Sequence, residues 1–225
     1  MKSVCWFRND LRVLDNPAFH YCCKNSKEVI AIYFINRVQW QEHDDASIKI
    51  NFWLRNLELL QNKLEKLNIP LVVLEADNYS DTASVLKDFC IKNEVKNLYF
   101  NNEHPINELE RDRYIYSNFK EDGIGVFTYH DQVIHEPGSL KTTTGNNFSV
   151  YSPFKRKWFA ELLESQLVIL DEPEKQESMG MQPTDLSKYL DEFAHQKSEL
   201  WPAGEEFIQN YIDEFLKFKG TTYKV

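Results

Sequence analysis

The chain has 225 residues, which is enough for one large domain or for one domain with a tail. A hydrophobic share of 42%, with 14% aromatic residues, excludes an intrinsically disordered chain. Asp and Glu number 35 against 26 Lys and Arg, and this net charge of -9 excludes tight binding of nucleic acid through a general basic surface.

Five short apolar runs in the first 130 residues predict β-strands. They are rich in β-branched or aromatic residues, and several are apolar nearly throughout, as strands buried on both faces of a parallel sheet are. The predicted strands cover residues 3–7, 28–34, 70–76, 96–100 and 125–130.

Amphipathic stretches between these runs predict helices. Asn16 and Pro17 give an N-cap and first-turn signal for the first helix, and Gly123 ends the last one. The alternation of strand and helix predicts right-handed crossovers and an α/β fold, a doubly wound five-stranded parallel sheet with helices on both faces. The predicted helices cover residues 17–24, 46–67, 81–93 and 105–119.

The character of the chain changes after residue 135. A loop rich in Gly, Thr and Asn leads to a basic aromatic helix that starts at Pro153, and together they form a unit over 136–164 that we expect to pack on the core. Residues 165–200 have no sustained period and predict an extended connector over the surface, after which helical spacing resumes. The predicted organisation is therefore a core over 1–135, the loop and helix over 136–164, and a connector with a final helix over 165–225.

Several classes of site are absent from the sequence. There is no GxGxxG, P-loop, GxSxG or HExxH motif, and His130 and His135 have no acidic or thiol partner at ligand spacing, so we predict no metal site. The four cysteines form no CxxC pair, and no leader or membrane span is apparent, which predicts a cytosolic, cytoplasmic protein with reduced thiols. We predict no catalytic residue in this chain.

Four charged residues follow the first predicted strand within eight positions. Arg8, Asp10, Arg12 and Asp15 come after the carboxyl end of that strand, where doubly wound sheets place their ligands. Arg and carboxylate side chains pair readily at such an edge, so we expect ion pairs that brace the turn from strand to helix.

As an ordered string, however, WFRNDLRVLDNPAF (residues 6–19) closely resembles the start of the DNA photolyase and cryptochrome family. Other strings agree in the same order along nearly the whole chain, which makes the resemblance specific. They are VIAIYFINRVQW, FWLRNLELLQNKLEKLNIPLVV, NNEHPINELERDR, YSPFKRKW and WPAGE. The chain is most similar to bacterial folate-type photolyases that act on cyclobutane pyrimidine dimers.

The resemblance implies an N-terminal α/β antenna domain, a connector, and a helical domain that holds FAD and the DNA lesion. The chain ends where the connector meets that FAD-binding helical domain, so this fragment alone is expected to be inactive. The implied activity of the whole protein is that of a deoxyribodipyrimidine photo-lyase, a carbon-carbon lyase driven by light. Its implied partners are its own helical domain and, through it, damaged DNA, and we expect a monomer with no membrane contact.

The resemblance also implies a set of binding residues. His43, in the loop after the second strand, and Asn107 with Glu108, after the fourth, match positions that hold a 5,10-methenyltetrahydrofolate antenna. Tyr223 matches a tyrosine that touches the flavin in the complete protein. Taken individually, Glu108 is also explained by the helix dipole and His43 by a solvated loop. Their joint match to the pattern of the family is what favours ligand contacts.

Two other functions stay open at this point. The chain is also consistent with the N-terminal domain of a cryptochrome, a flavin photoreceptor that signals through a partner. A third reading is a doubly wound domain for an ordinary nucleotide or a protein partner, although the first turn lacks the glycines that such a domain uses. The sequence leaves open whether folate or a deazaflavin is the antenna, and whether the fragment alone retains one.

Overall fold

The computed structural model describes residues 1–165 and 167–218. Five strands form one sheet in the order β3-β2-β1-β4-β5, and every neighbouring pair is parallel. The predicted doubly wound parallel sheet is therefore confirmed. The strands are β1 (Lys2–Trp6), β2 (Glu28–Ile35), β3 (Leu71–Glu75), β4 (Asn97–Asn101) and β5 (Gly125–Tyr129).

Helices cover both faces of the sheet, as predicted. The helices are α1 (Pro17–Asn25), α2 (Arg37–Glu42), α3 (Ser47–Lys66), α4 (Tyr79–Lys92), α5 (Ile106–Asn118), α6 (Tyr151–Glu164), α7 (Ser187–Glu192) and α8 (Glu205–Phe218). Two of them, α2 and α7, are absent from the predicted set, because six-residue helices are too short for an apolar period to be recognised. Among the described residues, no helix combines the length and apolar character needed to cross a bilayer.

Local signals set the ends of the predicted helices. The side chain of Asn16 accepts a hydrogen bond from the backbone N–H of Phe19 at 3.1 Å, so the predicted N-cap of α1 is confirmed. A short 3-10 turn follows α5 and ends at Gly123, whose φ of 72° lies in the left-handed region that glycine adopts without strain.

Each face of the sheet has its own apolar core. On one face, α1 and α3 bury residues such as Phe19, Leu57 and Leu64 against the sheet. On the other face, α4 and α5 contribute Leu86 and Ile115. Burial of each such side chain stabilises the fold by about 1.5 to 3 kcal/mol, so the two cores hold the strands and helices together.

The connector after α6 runs along the edge of the sheet formed by β3. The backbone N–H of Thr184 donates to the carbonyl of Leu71 at 2.8 Å, and the Thr184 hydroxyl accepts from the N–H of Val73 at 2.9 Å. Further along, Tyr189 in α7 is buried in the core. The connector therefore covers an otherwise open sheet edge, and α7 docks on the core where an extended surface segment was predicted.

Candidate functional site

The carboxyl ends of the strands form the polar end of the sheet. Because β1 lies between β2 and β4, the chain leaves β1 and β4 toward opposite sides, and the point between them is a topological switch point. Doubly wound sheets bind ligands in the crevice outside such a point. Here the residues that leave β1 and β4, including Arg8 and Glu103, fill most of that crevice.

Two arginines and two carboxylates form a buried network in the crevice. Arg8 Nη1 donates to both carboxylate oxygens of Asp112 at 2.9 Å. Arg111 donates to Glu103 at 2.8 Å and to Asp112 at 2.9 Å. Every side chain in this set is at most 12% exposed. Two positive and two negative charges are therefore held together away from water. Removal of one carboxylate leaves the buried set with one positive charge that is not balanced, which is costly.

The network also determines local protonation and aromatic contacts. Burial alone raises the pKa of Glu103, but Arg8 and Arg111 hold that pKa below its ordinary value. The two guanidinium groups lie 4.9 Å and 4.6 Å from the centre of the Trp6 ring, as cation-π pairs. The indole of Trp6 is thus fixed between charged groups at the end of β1.

The space left in the crevice is small. An inner cavity of about 70 Å³ remains, and Trp6 and Arg8 are among the residues that line it. Two buried donors, Trp6 Nε1 and Arg8 Nη2, have no hydrogen-bond partner among the described residues. Ligand pockets usually have volumes of about 300 to 1,000 Å³, so the inner cavity as it stands admits only a few waters.

The other charged residues of the opening motif brace the turn after β1. Asp10 accepts hydrogen bonds from the backbone N–H of Arg8 at 2.7 Å and from the side chain of Asn101 at 2.6 Å. Arg12 forms an ion pair with Asp131, the second residue after β5. These contacts join the exits of β1, β4 and β5, so the expected structural role of these charges is confirmed.

A larger groove lies outside the crevice, between α2, α4 and α5. Its volume is about 610 Å³, which falls within the usual range for a small-molecule site. Most of its lining residues have polar side chains, and several of them come from the first turns of α4 and α5. The lining residues are Gln39, Glu42, Asn78, Tyr79, Ser80, Ala83, Asn107, Glu110, Arg111 and Tyr114.

Tyr79 lines both this groove and the inner cavity. It is the first residue of α4, where Asn78 caps the helix with hydrogen bonds to Ser80 N at 3.0 Å and Asp81 N at 3.1 Å. Its pKa is raised to about 12, first by burial and next by the negative charge of Glu108. Arg111 lies 4.9 Å from its ring centre.

His43 has a different local setting from the one expected. It was predicted in a loop that follows β2 directly, but α2 intervenes and His43 forms the C-cap of that helix. Its Nε2 lies 2.7 Å from the side-chain nitrogen of Gln39, and its ring centre is 6.1 Å from that of Tyr79. The ring of His43 is therefore positioned by α2 and packs edge-on against Tyr79, one of the residues that line the groove.

The other two predicted residues lie in the first turn of α5. Asn107 is exposed and lines the groove. Glu108 is partly buried and interacts with Tyr79. His43 and Glu108 thus adjoin Tyr79, while Asn107 alone of the three predicted residues lines the groove itself. Tyr223, the fourth, lies outside the described residues.

Sequence analysis missed three residues of this region, namely Gln39, Tyr79 and Arg111. Tyr79 has a signal that was available, because it directly follows an N-cap asparagine at the exit of β3. Arg111 has no such local signal, since its role depends on partners in β1, β4 and α4. Within the two described ranges, no group of three or more His, Cys, Asp and Glu residues is arranged to hold a metal ion.

The sheet and the groove define a class of protein, a doubly wound α/β domain with an open groove at the carboxyl ends of its strands. The chain belongs to the DNA photolyase family, whose model matches residues 3–176. The deoxyribodipyrimidine photo-lyase of Buchnera aphidicola subsp. Baizongia pistaciae is 28% identical over 98% of this chain and 47% of its own length. That of Escherichia coli is 29% identical over 80% of this chain and 38% of its own length.

Solved structures give the same fold. A bacterial class III photolyase from Agrobacterium tumefaciens matches 94% of this chain and 41% of its own, with a TM-score of 0.68 at 22% identity. An archaeal photolyase from Sulfolobus tokodaii, solved with two FAD molecules, matches 91% of this chain and 44% of its own, with a TM-score of 0.69 at 20% identity. The chain spans about half the length of the first of the curated relatives that it matches.

Proposed function

We propose that this chain is the antenna-chromophore domain of a deoxyribodipyrimidine photo-lyase that repairs cyclobutane pyrimidine dimers in DNA under light. Family membership and the printed names of the relatives support the reaction class. The observation that carries the antenna role is the groove at the carboxyl edge of the sheet. Asn107 lines this groove, and Tyr79, which also lines it, has the ring of His43 beside its own and the charge of Glu108 near its hydroxyl group.

The side chains in the groove suit the pterin ring of a folate. A carboxylate such as Glu108 accepts two N–H bonds from the amino-pyrimidine edge of a pterin, and an amide such as Asn107 both donates and accepts. The volume of about 610 Å³ is sufficient for a ligand of this size. The filled switch-point crevice, with its 70 Å³ cavity, favours a folate in the outer groove over a deazaflavin in the crevice.

Each residue has a distinct part in holding the ligand. Gln39 holds the ring of His43 at the end of α2, and Glu108 lies close enough to Tyr79 for its charge to raise the pKa of the Tyr79 hydroxyl group. When bound, 5,10-methenyltetrahydrofolate absorbs near-ultraviolet or blue light and passes the excitation to FAD. The part of this domain is therefore to bind and orient the antenna.

We also propose that a helical domain with FAD covers one side of this chain. The two helices after the core, α6 and α8, expose many large apolar side chains. Large patches of such side chains are rare on the surface of a monomer and usually mark an interaction site. The proposed organisation keeps the core at 1–135, the α6 unit at 136–164 and the connector at 165–225, with Tyr223 directed at the flavin. The exposed residues are Tyr151, Phe159 and Leu163 in α6, and Phe207, Ile208, Ile212 and Leu216 in α8.

Light-dependent repair by the full-length protein tests this function. An oligonucleotide that contains one thymine dimer is incubated with the protein in blue light and in the dark, and restored thymines are quantified by chromatography. We expect repair only in the light and only with the protein present. A flavin-bearing protein that repairs nothing in the light would instead support the cryptochrome alternative.

A further inference from the structure

Gln39 is the buried residue of the short helix α2, and it connects that helix to its surroundings. Its side chain is buried and the residue is only 6% exposed. Its backbone N–H donates to the carbonyl of Asp77 at 3.2 Å, and its backbone carbonyl accepts from the N–H of His43 at 3.0 Å. A polar side chain at this depth requires hydrogen-bond partners, and both ends of the Gln39 amide group have one.

The backbone of α4 determines which way the Gln39 amide group points. Gln39 Oε1 accepts a hydrogen bond from the backbone N–H of Tyr79 at 3.4 Å. Tyr79 is the first residue of α4, so its N–H has no acceptor within the helix. If the amide group were reversed, two donors would face each other at this point. The amide nitrogen is therefore the end that faces His43.

The contact between Gln39 and His43 then determines where the neutral imidazole carries its proton. Gln39 Nε2 lies 2.7 Å from His43 Nε2, and because the amide nitrogen is a donor, the ring nitrogen must accept. A neutral imidazole whose Nε2 accepts carries its proton on Nδ1. His43 is exposed, and its Nδ1 makes no hydrogen bond to any residue in the described part of the chain. This N–H is therefore available to a ligand.

We propose that Gln39 is a positioning residue for the antenna, which sets the tautomer of His43 so that its Nδ1–H donates to an acceptor atom of the bound folate. The inference rests on the proposed function in taking His43 as a ligand contact. A folate has carbonyl and carboxylate oxygens that accept such a bond. Replacement of Gln39 changes binding because it changes which hydrogen-bonding group His43 presents.

Gln39→Glu reverses the polarity of this contact with little change in shape. An ionised carboxylate only accepts, so it retains the hydrogen bond from the Tyr79 N–H and takes a second one from Nε2–H of His43. The neutral imidazole then has an unprotonated Nδ1 and offers the ligand no donor. Protonation of the ring puts an N–H on both nitrogens, so a lower pH is expected to restore folate binding in this variant.

The pH range of the test has to leave the other groups around His43 unchanged. A range from about pH 6 to pH 8 lies above the ordinary pKa of a carboxyl group and includes that of an ordinary imidazole. The pKa of Tyr79 is raised to about 12, far above this range. The charged and titratable groups nearby are Glu42, Asp44 and Asp45 in the same segment, Tyr79 in α4, and Glu108, Glu110 and Arg111 in α5.

Nitrogen NMR of the full-length protein without folate measures the tautomer directly. Histidine labelled with 15N in the ring is incorporated, and the signals of His43 are identified by their loss in His43→Gln. At about pH 8, above the ordinary imidazole pKa of about 6.5, we expect the proton on Nδ1 in the wild type and on Nε2 in Gln39→Glu. A wild-type His43 that carries its proton on Nε2 overturns the proposal.

Folate titrations test whether the ligand depends on this tautomer. The Kd of 5,10-methenyltetrahydrofolate is measured for the wild type, Gln39→Glu and Gln41→Glu at about pH 6 and about pH 8. Gln41→Glu is the matched control, because it adds the same charge to the same helix from an exposed side chain outside the groove.

We expect Gln39→Glu to bind folate about tenfold more weakly than the wild type at the higher pH and within about threefold of it at the lower pH. Gln41→Glu should stay within about threefold of the wild type at both pH values. A loss in Gln39→Glu that is equal at the two pH values, or an equal loss in Gln41→Glu, overturns the proposal.

A double variant separates action through His43 from a direct contact of Gln39 with the ligand, since Gln39 also lines the groove. In a His43→Gln background, Gln39→Glu should change the Kd by less than about threefold, because the group through which it acts is gone. The full loss of about tenfold in that background assigns the effect to Gln39 itself and overturns the proposal.

The proposed function and this inference fail in different ways. If the wild type binds no folate, the antenna role is wrong, and the NMR signals still show whether Gln39 controls His43. If the wild type binds folate and Gln39→Glu binds it equally well at about pH 8, the inference is wrong and the antenna role stands. If Gln39→Glu does not fold, Gln39→Met removes both hydrogen bonds without adding charge, and a His43 that stays fully protonated on Nδ1 in it overturns the inference.

Discussion

The guanidinium group of Arg111 lies over the ring of Tyr79, 4.9 Å from its centre. The same group lies 4.6 Å from the ring of Trp6, at the end of the central strand β1. One buried cation thus connects the inside of the sheet edge with the outer groove. The groove is therefore built on packed elements, which favours a preorganised ligand site.

The charge of Glu108 is expected to contribute directly to folate binding. Glu108→Gln removes a charged acceptor, and hydrogen bonds to charged groups contribute about 1.5 to 3 kcal/mol, which is roughly 10- to 150-fold in Kd. Titration of the full-length protein with 5,10-methenyltetrahydrofolate measures the change, and FAD content should stay the same.

Glu121→Gln is the control for that variant. Glu121 is an exposed glutamate in the 3-10 turn before β5, at the opposite, amino edge of the sheet. Its folate affinity should equal that of the wild type. An unchanged affinity in Glu108→Gln would remove Glu108 from the binding site.

The buried charge network is expected to be far more important for stability than an exposed pair. Asp112→Asn removes one of the two carboxylates that neutralise the buried Arg8 and Arg111, and should lower the free energy of unfolding by about 3 to 5 kcal/mol. Glu192→Gln breaks an ion pair with Arg37 whose side chains are 43% and 42% exposed, and should cost about 0 to 1 kcal/mol. Urea denaturation of both variants measures the difference, and equal costs would contradict the role of the network.

Glu103 makes the stability of the chain sensitive to acid. Its folded-state pKa lies below its ordinary value of 4.5, so its stabilising contribution is present above that value and is lost as the pH falls through the folded-state pKa. Urea denaturation between neutral pH and the region below 4.5 should show a steep loss in the wild type and a shallower slope in Glu103→Gln. The same acid slope in both proteins would exclude Glu103 as a contributor.

The connector is expected to stabilise the sheet edge. Thr184→Val removes the acceptor of the Val73 N–H and should cost about 1 to 3 kcal/mol, because a backbone donor loses its partner. Amide hydrogen exchange at Val73 should become faster. Thr143→Val, in the exposed loop before α6, is the control and should change neither quantity.

The sequence predicted the sheet closely, and the reason is physical. Strands such as β2 and β4 are buried on both faces, so they appear as apolar runs whose observed ends differ from the predicted ones by at most one residue. Short helices such as α7 lack this signal. Its place on the core depends on Leu186 and Tyr189, two residues in a stretch without a sustained apolar period.

The site was predictable only in part. His43, Asn107 and Glu108 came from a resemblance in ordered strings; Asn107 lines the groove, and the other two adjoin Tyr79 beside it. Tyr79 and Arg111 were missed because their roles arise from contacts between distant segments, such as that of Arg111 with Trp6. Local patterns contain no information about which charged residue a fold will bury.

The folate content of the full-length protein tests the central claim most directly. The protein is incubated with excess 5,10-methenyltetrahydrofolate, separated from free ligand by gel filtration, and its absorption spectrum is recorded beside that of Glu108→Gln. We predict about one folate per wild-type molecule and a strongly reduced folate band in the variant, with the flavin band equal in both. A wild-type spectrum with flavin alone, or equal folate bands in the two proteins, would contradict the account.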